Sequence, residues 1–390
     1  MPSTLPALDG IRVLDFSTVG PGSRCTRILA DYGATVVKVG VPPKKAGLQT
    51  QPAFWAYSAN RGFRQVRLDL KDGAAKAAFF RLAENADVIL ESFRPGVVDR
   101  LGVGFENVRK VNPRIVYCST SGYGQNGPAS KWAGHDINYL AVGGYLACTE
   151  PGPGGKPPIP GATIADSTAG GMQAAMAIMA ALLRREKTGE GEYLDVSVAE
   201  GVLTLMSLYI DQHLATGVEP GPRHDVLTGR YAYYDTYVCA DGKWVAVGAI
   251  EPQFFSNLCK ALGCEQWLPH QNDDSRQEQM RADFAAAFQR KTRDEWATEL
   301  ASADACLSPV HEIRELVHDP QFRARGAFVE AKHESEGTFS QLAPVLAGQN
   351  RADEPIVAGD ASKSDTEALL QEAGLGMDEI DRLRERGAIA

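Results

Sequence analysis

The sequence predicts an α/β protein, with a large domain on a mostly parallel sheet and a smaller α+β domain after it. Three observations carry this. Short β-branched runs alternate with helical runs over the first third of the chain, as in βαβ units whose sheet is covered on both faces. From Tyr231 onward the pattern changes to a hairpin followed by helices. The length, 390 residues, exceeds what one hydrophobic core usually serves, so two domains are expected.

The elements follow in order. Ile11–Phe16 alternates as a strand, Gly20-Pro21-Gly22 turns the chain, and Arg24–Tyr32 has apolar residues at helical spacing until Gly33 stops it. Ala34–Val39 is a buried β-branched strand. Further strands are expected at Gln65–Leu68, Val88–Glu91 and Ile115–Thr120, with a helix at Gly73–Asn85. Pro151–Pro160, rich in Pro and Gly, is an irregular surface loop. Asp166 opens a long Ala- and Met-rich buried helix to Leu183, and Val198–Ala215 is another. Tyr233–Cys239 and Lys243–Val247, joined by Ala240-Asp241-Gly242, give the hairpin signal. Helices are expected at Pro252–Leu262, Gln277–Gln289, Arg293–Ala301, Lys363–Ala373 and Met377–Arg386. The expected organisation is a large domain over 1–215, a linker over 216–230, a small domain over 231–328, and a segment over 329–390 returning to the large domain.

Composition is that of an ordinary globular protein, 44% hydrophobic and 23% charged. A net charge of −9 without a basic tail argues against nucleic acid or an anionic membrane as partner. No apolar run approaches the roughly 20 residues of a membrane helix. The N-terminus lacks the marks of a signal peptide, so a cytoplasmic location is expected. The seven cysteines are scattered without CxxC spacing, and no two histidines have the spacing of a helical zinc site, so no metal is expected. Gly122-Tyr123-Gly124-Gln125-Asn126-Gly127 matches the dinucleotide fingerprint. Pro128 and a polar stretch follow it where the fingerprint needs a helix, which argues against a nicotinamide cofactor.

Four segments together point further. They are Glu91-Ser92-Phe93-Arg94-Pro95-Gly96 running on to Arg100-Leu101-Gly102, Ala133-Gly134-His135-Asp136-Ile137-Asn138-Tyr139, Ala165-Asp166-Ser167, and Val247-Gly248-Ala249-Ile250-Glu251-Pro252-Gln253-Phe254. Leu68-Asp69-Leu70-Lys71 and Asp304–Val310 add to them. The set resembles the family III CoA-transferase superfamily, and within it the α-methylacyl-CoA racemases. The resemblance runs from about Leu8 to Phe328. It implies an interlocked homodimer of subunits with a Rossmann-like large domain and a small domain. It implies a CoA thioester as substrate and no further cofactor. By the same resemblance His135 and Asp166 are an acid/base pair and Glu251 supports the histidine. Leu68, Asp69, Leu70, Lys71, Arg94, Arg100, Gly134, Asp136 and Tyr139 are then the CoA contacts. In transferase relatives the aspartate matching Asp166 is instead a covalent nucleophile.

The chemistry suits these residue types. A proton α to a thioester carbonyl can be removed to give an enolate, and inversion needs a second group to return it on the opposite face. Backbone N–H groups at the start of the helix after Asp166 can hold the enolate oxygen. Racemisation of 2-methylacyl-CoA is therefore the expected function, with CoA transfer between carboxylic acids as the alternative. A CoA-ester-binding protein without catalysis is a third reading. Taken singly, His135 reads as a hydrogen-bonded structural histidine, Asp166 as a helix N-cap, and Glu251 as an exposed residue opening a helix. Arg61 and Arg64 also flank expected strand ends. Two segments depart from the racemase pattern. Gly40-Val41-Pro42 lacks a CoA-binding arginine, leaving Lys38, Lys44 or Lys45 to replace it. Leu227-Thr228-Gly229-Arg230-Tyr231-Ala232 replaces a small-residue run expected near the acyl group.

Overall fold

The computed structural model describes residues 5–43, 53–56, 61–348, 355–360 and 362–390. The chain divides into two compact units. The first comprises Met1–Gly143, Pro160–Ser207 and Pro320–Ala390, the second Gly144–Ile159 and Leu208–Asp319. Against the expected span of 1–215, the large unit ends its central part at Ser207 and cedes the Pro/Gly-rich loop to the second unit.

The first unit is built on six strands, β1 (Arg12–Asp15), β2 (Thr35–Gly40), β3 (Arg64–Arg67), β4 (Val88–Glu91), β5 (Val116–Ser121) and β6 (Glu192–Ser197). Their order is β3-β2-β1-β4-β5-β6 and every pairing is parallel. This is the doubly wound order, whose sequence reverses direction between β1 and β4. Strands β4 and β5 are buried at every position, as befits strands covered on both faces. Residues of β1 alternate between the two sides: Leu14 joins Phe79, Ile89 and Tyr117, while Val13 joins Val36, Val88 and Val116. Strand β6 was not expected. Its charged residues Glu192 and Asp195 break the β-branched signature, and its half-exposed positions fit an edge.

Helix α1 (Gly20–Asp31) has proline in its first turn, where no backbone donor is lost, and buries Cys25, Ile28 and Leu29. Helix α2 (Gly73–Glu84) is capped by Asp72, whose carboxylate accepts the N–H groups of Ala74 and Ala75. Helix α3 (Asp136–Val142) precedes the excursion into the second unit. The long buried helix expected from Asp166 is two segments, a π-helical one (Ala165–Met172) and α4 (Gln173–Thr188). The single helix expected over Val198–Ala215 is broken at Met206 into α5 (Val198–Leu205) and α6 (Ser207–Thr216).

In the second unit, β7 (Tyr234–Val238) and β8 (Trp244–Gly248) form the expected antiparallel hairpin. Helices α7 (Pro252–Leu262), α8 (Gln277–Phe288) and α9 (Arg293–Ala301) follow. The three-residue β9 (Leu307–Pro309) adds to β8; it is too short for a periodic signal. Tyr237, Phe255, Phe284, Phe288 and Trp296 form this unit's aromatic core.

The chain then returns to the first unit. A small sheet of β10 (Phe328–His333), β11 (Gly337–Leu342) and β12 (Ile356–Val357) was not expected. Helices α10 (Thr366–Glu372) and α11 (Met377–Glu385) put Leu369, Leu370, Ile380 and Leu383 into the core beside Phe79. Asp365 accepts the Gln65 N–H (2.8 Å) and Thr366 the Arg67 N–H (2.9 Å), so the tail closes the free edge of β3.

Candidate active site

A cavity of about 520 Å³ opens at the C-terminal ends of β1, β4 and β5. This is where the strand order reverses, the place at which open parallel sheets bind ligands. His135 and Asp166 both line it. A larger cavity of about 620 Å³ lies between α2 and the C-terminal helices and holds neither residue.

His135 is the extended residue before α3, and its N–H donates to Asn138 Oδ1 (3.0 Å). Its ring is exposed to the cavity, unlike that of a buried structural histidine. Tyr139 steadies the turn before it by donating its hydroxyl to the Gly134 carbonyl (2.7 Å). Burial first, then the Asp166 carboxylate, push the Tyr139 phenol up to about 12, so it stays a donor. The Tyr139 ring explains two glycines. A Cβ at Gly122 would lie 2.5 Å from Tyr139 Cε1, and one at Gly134 2.8 Å from the same atom. The first glycine of the apparent dinucleotide fingerprint thus makes room for an aromatic ring.

Asp166 is the second residue of the π-helical segment and does not cap it. Its N–H donates to Asp136 Oδ1 (2.8 Å). Asp136 is the first residue of α3, so this bond ties the segment carrying Asp166 to the helix that His135 precedes. Burial raises the Asp166 carboxyl above the ordinary carboxylate value, and Asp136 adds to the rise. Arg24 and His135 oppose it. A Cβ on Gly20 would stand 3.8 Å from Asp166 Oδ2, so the carboxylate faces the N-terminus of α1. There the helix dipole favours negative charge. Close glycine contacts seat the π-helical segment: a Cβ at Gly170 would fall 2.5 Å from Pro21 Cβ.

The other expected contacts fall into three groups. Arg94 lines the cavity and is exposed, as are Arg100 and Lys71; among the described residues none of the three forms an ion pair. Leu68 and Leu70 are core residues, so that segment presents outward only its backbone, Asp69 and Lys71. Asp136 and Tyr139 are engaged inside the protein by the bonds just described. Three expected cations are committed elsewhere. Arg61 pairs with Asp31 (2.8 Å), Arg64 with Glu372 (2.8 Å), and Lys38 with the fully buried Asp15 and the Ser17 carbonyl. Lys44 and Lys45 lie outside the described residues.

Glu251 stands in the second unit, exposed and extended, just before Pro252 opens α7. In the same unit Arg230 pairs with Asp274 (2.7 Å) and lies over the Tyr231 ring, which stacks on Tyr233 at 5.3 Å. Glu91 enters the sequence reading only as the end of a strand and the start of a resemblance segment, because a glutamate ending a strand is ordinarily solvated. Here it is 2% exposed, and burial pushes its carboxyl up to about 7. Among the described residues no group of three or more His, Cys, Asp or Glu is arranged to hold a metal ion. No helix of these residues is long and apolar enough to cross a membrane.

Comparison with known proteins identifies the setting of this site. The model of CoA-transferase family III matches residues 8–355. The chain belongs to this family. A human family III relative, α-methylacyl-CoA racemase, is 37% identical over 381 residues, covering 97% of this chain and 96% of its own. Acetyl-CoA:oxalate CoA-transferase of Acetobacter aceti is 30% identical over 352 residues, covering 85% and 89%. The crystal structure of Rv3272 from Mycobacterium tuberculosis superposes with a TM-score of 0.73 at 28% identity, covering 93% of this chain and 96% of that one. This family III chain is therefore an enzyme acting on acyl-CoA thioesters, on the α/β architecture of its relatives.

Proposed function

We propose that the enzyme racemises 2-methylacyl-CoA thioesters, taking the α-proton from one face and returning it to the other through an enolate. The observation that supports this reading is that two proton-carrying side chains, His135 and Asp166, line one cavity. Inversion needs such a pair, whereas one group suffices for simple exchange. The raised Asp166 carboxyl brings its proton affinity nearer to neutral pH, where an acid/base catalyst works best. The N-terminus of α1 beside it favours the negative charge that develops on the enolate oxygen. Lys71, Arg94 and Arg100 take the CoA phosphates, the arginines as bidentate partners. Asp69, the backbone of Leu68 and Leu70, and Gly134 contact the rest of the coenzyme, and two copies interlock.

A second reading, favoured by the comparisons as a whole, is CoA transfer between carboxylic acids. Asp166 would attack the thioester carbonyl, giving a mixed anhydride and CoA thiolate. The thiolate would then attack the aspartyl carbonyl, releasing the first carboxylate and leaving an aspartyl-CoA thioester. An acceptor carboxylate would reverse these steps and leave with CoA. The two readings share Asp166 and part at His135.

NMR of one 2-methylacyl-CoA in D₂O, with and without an added carboxylate, separates them. Racemisation of a single epimer predicts the inverted epimer carrying deuterium at the α-carbon without any acceptor, and that inverted product should be reduced by roughly 10²-fold or more in His135→Ala and in Asp166→Asn. CoA appearing on the acceptor, with no α-deuteration, would overturn the racemase reading in favour of transfer.

A further inference from the structure

Glu91 ends β4 with its side chain sealed in the protein. The Ser119 hydroxyl hydrogen-bonds its carboxyl, and the negative charges of Asp99 and Asp195 act on it. Among the described residues it forms no ion pair. A buried carboxyl in such company is costly, and an apolar residue would fill a strand end at less expense. Its position suggests what it is for. Glu91 Oε2 accepts the Phe93 N–H at 2.8 Å. Ser92, Phe93, Arg94 and Pro95 all line the cavity that holds His135 and Asp166, and the Phe93 ring packs on Phe16 at 6.0 Å. The carboxyl thus grips from below a loop whose outer face carries Arg94.

We propose that Glu91 is a positioning residue, which fixes the Ser92–Pro95 loop through the Phe93 N–H and so aims Arg94 at the coenzyme. The proposal rests on the acyl-CoA reading above. An ionised carboxylate accepts an N–H more strongly than a neutral carboxyl does. Burial raises Glu91 to about 7, against the Ser119 and Phe93 hydrogen bonds that lower it, and Asp99 and Asp195 add to the rise. The grip therefore tightens as pH climbs through neutrality.

The test is calorimetric titration of CoA into the intact protein at pH 6 and pH 8, for wild type, Glu91→Gln, Glu91→Ala, Arg94→Ala and the Glu91→Ala/Arg94→Ala double variant. Glu91→Gln mimics the protonated carboxyl at every pH. At pH 8 wild type should bind CoA about tenfold more tightly than Glu91→Gln, and at pH 6 about equally, whatever the phosphates contribute to both. The double variant should bind within about twofold of Arg94→Ala alone, since both changes remove one interaction. A wild-type to Glu91→Gln ratio that stays constant with pH, or losses that add in full, would overturn the inference and leave the acyl-CoA reading standing. Failure of wild type to bind CoA at all would sink both. Should Glu91→Ala not fold, the Glu91→Gln ratio decides alone.

Discussion

Asp136 shows how one side chain can set both the place and the proton affinity of another. Its Oδ1 holds the Asp166 N–H at 2.8 Å, and its charge pushes the Asp166 carboxyl up, second only to burial. Asp136→Asn keeps an acceptor for that N–H and removes the charge. The Asp166 carboxyl should then lose its proton at lower pH, so the acidic limb of the α-exchange rate against pH should move to the acid side. The maximal rate should fall by no more than about tenfold. A limb that stays in place would show that Asp136 acts on Asp166 by geometry alone. His135 and Asp166 stand out in the sequence because each sits in a distinctive short segment, and the structure puts both on one cavity. The bond between Asp136 and Asp166 was not legible in the sequence, because its partners lie 30 positions apart. Lys38, Arg61 and Arg64 misled for a related reason: a sequence displays a cation, but Asp15, Asp31 and Glu372, which neutralise them, come from elsewhere in the chain.

On the proposed reading, the chemistry depends on the π-helical segment Ala165–Met172, which carries Asp166. An Ala- and Met-rich run reads as one uninterrupted buried helix, since the wider hydrogen-bond register has no residue signature. Such segments recur at functional sites. Its glycines were the available clue. Gly170 lets the segment pack on Pro21 at the start of α1, the helix end that faces Asp166. Gly170→Ala would put a methyl group 2.5 Å from Pro21 Cβ, backed by Val198 Cγ2 at 3.0 Å. Neither neighbour can swing away freely, so stability should fall by about 1–3 kcal/mol, read from denaturant unfolding. The turnover rate should fall further than CoA affinity, because Asp166 moves while the Arg94 loop does not. Equal losses in both would point to general loosening instead. Strand β6 and the β10–β12 sheet escaped the sequence reading because half-exposed strands carry charged and polar residues that blur the period of two.

At the scale of the whole molecule, the alternation of strands and helices was enough to expect a parallel sheet. Strand order depends on which crossover goes which way, and only the structure supplies it. That order matters, because the reversal between β1 and β4 opens the cavity and places Glu91 beneath the loop that lines it. A central strand buried on both faces leaves a carboxyl there no route to water. The consequence reaches global stability. In the unfolded chain a glutamate titrates near 4.5, in the folded one Glu91 near 7. Between these values the native state holds a proton that the unfolded state has released, so stability falls as pH rises through this window and levels off above it. The loss is on the order of 3 kcal/mol. Glu91→Gln removes this titration while leaving every other group in place. The difference in unfolding free energy between wild type and Glu91→Gln, measured from pH 4.5 to pH 8, should shift steadily in favour of the variant. A difference that is flat over that range would mean that Glu91 is solvated in the folded protein, and its grip on the Arg94 loop would lose its pH dependence with it.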